Sequence, residues 1–172
     1  VFLCLKLTSG VCMGYSHYWK IHKEIPLQSF KKIQSAAIAF AELSDTHLNI
    51  SLNTHPSHLY LCIEGIDKEA KESFYLTPMA VKFDFCKTAM KPYDEVVVAV
   101  LNYTGSFEFF EWWSDGNKQD HRKAINLCRA INLLKGFYQD GKANYTCATE
   151  RFEDSIDFNS ALIKKIDNLQ GK

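Results

Sequence analysis

The chain has 172 residues, 47% of them hydrophobic and 23% charged, the proportions of one ordinary globular domain with a short appendage. Twenty Lys+Arg balance twenty Asp+Glu, so no whole-chain field draws in a polyanion; a general nucleic-acid coat is excluded, one local basic pocket is not. No stretch reaches the roughly 20 apolar residues of a membrane span, and a chain of this length buries about two thirds of its surface without needing disulfides or a structural metal.

Residues 1–12, VFLCLKLTSGVC, read either as the tail of a signal peptide or as upstream sequence translated in frame before an initiator at Met13. The missing charged n-region and the interruption at Lys6 favour the second reading. Tyr15–His22 then alternates aromatic and polar residues and predicts a first strand, with Tyr15, His17 and Trp19 on one face. Pro26 suits a helix opening, and Leu27, Phe30, Ile33, Ala37 and Ala41 form one apolar stripe that runs to about Leu43 and ends at Ser44-Asp45. His47–Leu52 alternates weakly. Leu59–Ile63 and Ser73–Leu76 predict neighbouring strands around a Lys- and Glu-rich turn, within which Asp67–Glu72 can form one helical turn. Val81–Cys86 alternates cleanly, with Val81, Phe83 and Phe85 on one face and Lys82, Asp84 and Cys86 on the other.

Tyr93–Tyr103 is ambiguous. Its Val96–Val98 run suits a strand, whereas Pro92 ahead of Asp94-Glu95 suits a buried helix, and helix is the reading adopted. Gly105 ends it. Phe107–Trp113 predicts a strand stopping at the Ser114-Asp115-Gly116 turn, and Asp120 is placed to cap a long helix with the stripe Ile125, Cys128, Ile131, Leu134 and Tyr138, stopping near Gly141. Residues 151–172 are a polar tail with one short helical stretch, Ser160 to Leu169. The expectation is a single α+β domain over residues 13–150, mostly antiparallel, with three main helices packed largely on one face of the sheet.

Chemistry concentrates in three places. Cys86-Lys87-Thr88 and Lys91-Pro92-Tyr93-Asp94 join a strand to a helix start, where free backbone N–H groups, two ammonium groups and the Thr88 hydroxyl suit an anion. Asp94 can satisfy the same amides, and no P-loop glycines are present, so a plain strand–helix corner is the competing reading. His17, among aromatics, suits acid–base work or stacking, or a core imidazole bonded to a carbonyl. Asp115 ends a strand where a carboxylate can meet a ligand, but Asp-Gly is also an ordinary turn. Cys86 beside lysines is a weaker candidate for a nucleophile. His47, His55 and His58 lack a zinc spacing, so no metal is expected, and no cofactor is indicated. Sequons at Asn49, Asn102 and Asn144 matter only in a secreted chain.

Met13-Gly-Tyr-Ser-His-Tyr-Trp, Phe85-Cys-Lys-Thr, Lys91-Pro-Tyr-Asp and Ser114-Asp-Gly occur in that order along residues 13 to about 135. Together they resemble an uncharacterised bacterial, plasmid and phage protein family whose members begin Met-Gly-Tyr-Thr/Ser-His-Tyr-Trp. The resemblance implies a start at Met13, a cytoplasmic protein, and thiols at the four cysteines after Met13. Met90 stands where an Arg is usual in that family, which counts against an anion site there. The family carries no activity to transfer.

Two functions from different classes follow. One is a small cytoplasmic protein holding an anionic ligand, such as a nucleotide or phosphorylated metabolite, with Lys87, Thr88, Lys91 and Asp94 at the corner, His17, Trp19 and Tyr93 as walls and Asp115 at the rim. The other is a protein-interaction module of a mobile element that presents the aromatic strand Phe109-Phe110-Glu111-Trp112-Trp113 to a partner.

Overall fold

The computed structural model describes residues 15–139, with side-chain environments through Ile131. Residues 1–12, the Gly141 stop and the Ser160–Leu169 helix lie outside the described residues, as do Cys4, Cys12, Cys147 and Asn144.

Among the described residues, six strands and three helices alternate irregularly: β1 (His17–Ile21), α1 (Leu27–Leu43), β2 (Leu48–Asn53), β3 (Tyr60–Gly65), β4 (Phe74–Leu76), β5 (Val81–Cys86), α2 (Asp94–Thr104), β6 (Phe110–Ser114) and α3 (Arg122–Gln139). The α+β class is as expected, but the strands form two three-stranded antiparallel sheets rather than one. The first has the order β5-β1-β6, with β1 central; the second is the meander β2-β3-β4. Single 3₁₀ turns at Pro56–His58 and Asp67–Glu69 link the meander strands.

Periodicity explains most elements. α1 buries Phe30, Ile33, Ala36, Ala37 and Phe40 along one stripe and ends where the Ser44 N–H bonds Phe40 O. α2 is buried on almost every side from Val96 to Leu101, which is why its valine run gives a helix and not a strand. It lies between α1 and α3, so each of its faces meets apolar side chains. The stripe of α3 is rotated from the predicted one: Ala124, Leu127, Ala130 and Ile131 are buried, while Ile125 and Cys128 are half-buried. Just ahead of this helix the Asp120 carboxylate accepts from the Asn117 N–H at 2.8 Å.

Trp19 of β1 packs edge-on against Phe74 of β4 with ring centroids 5.1 Å apart, joining the two sheets in one core. The joint is reinforced at Glu72, whose carbonyl accepts from the Tyr93 hydroxyl at 2.6 Å and from the Cys86 thiol at 3.4 Å. Cys62, Cys86 and Cys128 are free thiols. Cys86 is fully buried; Cys62 and Cys128 are half-buried. Among the described residues no helix is long and apolar enough to cross a membrane.

Candidate functional site

The register of the β5-β1-β6 sheet places His17 opposite both Cys86 and Ser114. Because alternate side chains share a face, His17, Trp19 and Ile21 all turn inward, and His17 is completely buried. The first residue of α2 meets it there: His17 Nε2 lies 2.6 Å from Asp94 Oδ1, and His17 Nδ1 lies 2.9 Å from Ser114 Oγ. The Thr88 hydroxyl donates to the same Asp94 oxygen and sits 3.3 Å from His17 Nε2. Beyond Ser114, His121 Nε2 is 3.2 Å from the serine oxygen, and the Gly116 N–H donates to that oxygen at 2.9 Å.

The Asp94 carboxylate can only accept, so it takes the His17 Nε2–H, and in the neutral tautomer Nδ1 is left to accept from Ser114. Ser114 Oγ has two acceptors for its one proton, His17 Nδ1 at 2.9 Å and Ser16 O at 3.5 Å, the imidazole being the nearer, and it accepts from the Gly116 N–H at 2.9 Å with His121 Nε2 at 3.2 Å. The chain runs Asp94, His17, Ser114, His121, with Thr88 bracing the acid and the Trp112 ring alongside both imidazoles.

The backbone makes this arrangement at a cost. Ala89 and Met90, between Thr88 and Asp94, both hold left-handed φ angles, 53° and 54°, which cost side-chain-bearing residues roughly 1–2 kcal/mol each. The turn is held by Ala89 N–H to Tyr15 O at 3.2 Å and Lys91 N–H to Thr88 O at 3.1 Å, and it sets Thr88 beside Asp94. Gly116 is needed at the other end, where a Cβ would strike the Tyr15 hydroxyl and come within 2.7 Å of His121 Nε2.

Burial, and then the neighbouring His17, hold the His121 imidazole below the usual histidine range, consistent with a neutral ring on Ser114. Burial, followed by the field of Asp94, pushes the Tyr15 phenol up, and its hydroxyl has no hydrogen-bond partner among the described residues. The Cys86 thiol is pushed up to about 12, chiefly by burial, so it is no thiolate nucleophile at neutral pH.

Of the residues singled out in the sequence, His17, Thr88 and Asp94 meet directly. Asp115 is adjacent but on the exposed side, accepting from the Ser16 N–H at 3.0 Å and the Tyr18 hydroxyl at 3.2 Å. Trp19 and Tyr93 are core residues and not pocket walls, the first packed edge-on against Phe74 and the second bonded to Glu72 O. The lysines do not converge on the corner. Lys87 Nζ stands 5.9 Å above the Phe85 ring, while Lys91 Nζ donates to Lys68 O at 2.9 Å and lies 3.7 Å from Glu69. The corner therefore holds a buried carboxylate without either ammonium. Two shallow depressions of about 280 and 490 Å³ both lie along α1, away from this cluster. Among the described residues no three acidic, histidine or cysteine side chains are grouped to hold a metal.

Sequence reasoning missed Ser114, His121 and Tyr15. Ser114 was legible in part, since it shares strand parity with the aromatic Phe110 and Trp112 and immediately precedes Asp115. His121 carried no local signal. No protein-family model, curated protein or solved structure matches the chain.

Proposed function

We propose that the protein is an enzyme acting on a small ester or other acyl substrate, with Ser114 as the nucleophile, His17 as its base and Asp94 as the group that orients the base. The observation that carries this reading is the pair of contacts on one imidazole: carboxylate at 2.6 Å on Nε2, hydroxyl at 2.9 Å on Nδ1. Acid and hydroxyl sit on opposite nitrogens of one imidazole, as they do where serine is activated in unrelated folds, but with the roles of Nδ1 and Nε2 exchanged relative to the usual triad. Ser114 and His121 are half-buried, whereas the base, His17, is fully buried. In the reaction Ser114 Oγ bonds the acyl carbon, its proton passes to His17 Nδ1, and the leaving group departs with that proton. Water then hydrolyses the acyl-enzyme by the same route. The carboxylates of Asp94 and Asp115 disfavour an anionic substrate, so this reading replaces a nucleotide or phosphorylated metabolite with a neutral or cationic acyl compound.

The test is labelling of the full chain with a fluorophosphonate, read by intact mass and peptide mapping. Modification of Ser114, absent in Ser114→Ala and strongly slowed in His17→Gln, is expected. An unlabelled wild-type protein under conditions that saturate a known serine hydrolase overturns the assignment.

A second reading, an interaction module, is favoured by a different observation. Tyr18, Phe83, Phe85 and Trp113 form a continuous aromatic face on the outside of the β5-β1-β6 sheet, with Phe83 53% and Phe85 45% exposed.

A further inference from the structure

The outer face of the β5-β1-β6 sheet is built to meet a copy of itself, and we propose that two molecules pair through it. The inference rests on the interaction reading of that face and is independent of the Ser114 chemistry. Across the sheet, Phe85, Tyr18 and Trp113 stand in one row, because Tyr18 is registered with Phe85 on one side and with Trp113 on the other. Tyr18 stacks on Trp113 with centroids 5.9 Å apart and planes 17° from parallel, and Phe83 closes the group at 5.9 Å from Tyr18 and 6.2 Å from Trp113.

Charge decides the occupant. At one end of the row, Lys87 follows β5 and holds its ammonium over Phe85. At the same end, Asp115 follows β6 and holds its carboxylate at the Tyr18 hydroxyl. The face thus carries a lysine ammonium at one edge, where the Glu72 carboxylate accepts from the Lys87 N–H at 2.9 Å, and the Asp115 carboxylate at the other, level with each other and separated by β1. A two-fold axis along the strand direction exchanges the edges. It sets the aromatic row of one molecule on the same row of its partner and brings each Lys87 over the partner's Asp115, twice per dimer. Lys20, one row further, is already neutralised by Glu111 at 2.6 Å. A face of this kind is self-complementary, as an isologous interface requires, and its balanced charge offers little to a polyanion.

The size of the face sets the strength. Five-residue strands rising about 3.4 Å per residue and spaced about 4.8 Å apart cover roughly 250 Å² in projection, so the contact falls at the small, transient end of interfaces. Dissociation constants in roughly the micromolar to millimolar range are expected.

The experiment is sedimentation of the full chain over a wide concentration range, with Lys87→Glu and Asp115→Lys measured separately and mixed. Each variant alone faces like charges at both edges and should associate roughly tenfold or more weakly than wild type, whereas the equimolar mixture pairs opposite charges at both edges and should recover. Phe85→Ser, which alters no charge and no residue of the inner cluster, should weaken association as well, and thermal melts verify that each variant is folded. A wild-type protein that stays monomeric, or variants that associate as wild type does, overturns the proposal. Radical footprinting of Phe83 and Trp113 separates the failures: in a monomeric protein, an open face overturns only the self-pairing, and a covered face overturns the interaction reading with it.

Discussion

The two faces of the β5-β1-β6 sheet reverse the usual distribution of side chains. Inward, at the α2 end, the sheet buries His17 against Asp94 and Thr88, with half-buried Ser114 beside it; outward it exposes Phe83, Phe85 and Trp113. Desolvating an imidazole, a carboxylate and two hydroxyls costs several kcal/mol unless each finds partners, and here every one of the four does. Leaving large aromatics in water forgoes roughly 25 cal/mol for each Å² of apolar surface that burial would have covered. Strand alternation defines two faces but not which of them is inside, and here a polar set that is mutually satisfied occupies the inner one.

If that contrast is right, inner and outer substitutions should differ by several kcal/mol. The largest effect is expected for Asp94→Ala, which strands the proton of a fully buried imidazole and that of the Thr88 hydroxyl. It should cost about 3–5 kcal/mol, seen as a fall in Tm of roughly 6–20 °C. A melt within 2 °C of wild type, at about 2–4 °C per kcal/mol, would show that the cluster contributes little to stability. Thr88→Val keeps the shape and removes one donor, and chemical denaturation should register a loss of about 1–3 kcal/mol. Met90→Gly should move stability the other way by up to about 1 kcal/mol, since glycine carries no penalty at the positive φ held there; a destabilised variant would mean that the Met90 side chain is itself needed.

On the outer face, Phe83→Ser should change monomer stability by no more than about 0.5 kcal/mol, measured at a concentration too low for association. A loss comparable to that of Asp94→Ala would place Phe83 in a covered environment and end the contrast. The smallest effect concerns pH. The folded-state pKa of His121 lies below its unfolded value of about 6.5, so the unfolded chain binds the proton more readily. Stability from this group is therefore complete above about pH 6.5 and declines as pH falls toward the lower folded value. His121→Gln should flatten that part of the stability–pH curve, and an unchanged slope would assign it to other groups.

What periodicity and turn chemistry can see was visible in the chain alone. The helix after Pro26, the clean alternation of Val81–Cys86 and the stop at Ser114-Asp115-Gly116 are local patterns, and each appears within a few residues of its expected place. His17, Thr88 and Asp94 stood out because polar residues flanked by aromatic strands and a helix start are rarely chosen for packing. Three things were decided only by the tertiary structure. The strands divided into two sheets because β1 paired with β5 and β6, contacts made across 60 or more positions, for which no local residue pattern speaks. The lysines turned away from the corner because Phe85, Lys68 and Glu69 offered partners that a linear reading places far from them or on no particular side. Ser114 and His121 joined His17 because a hydrogen-bond chain is satisfied by position in space, and the donor count that selects its members exists only once the backbone has brought them within 3.2 Å.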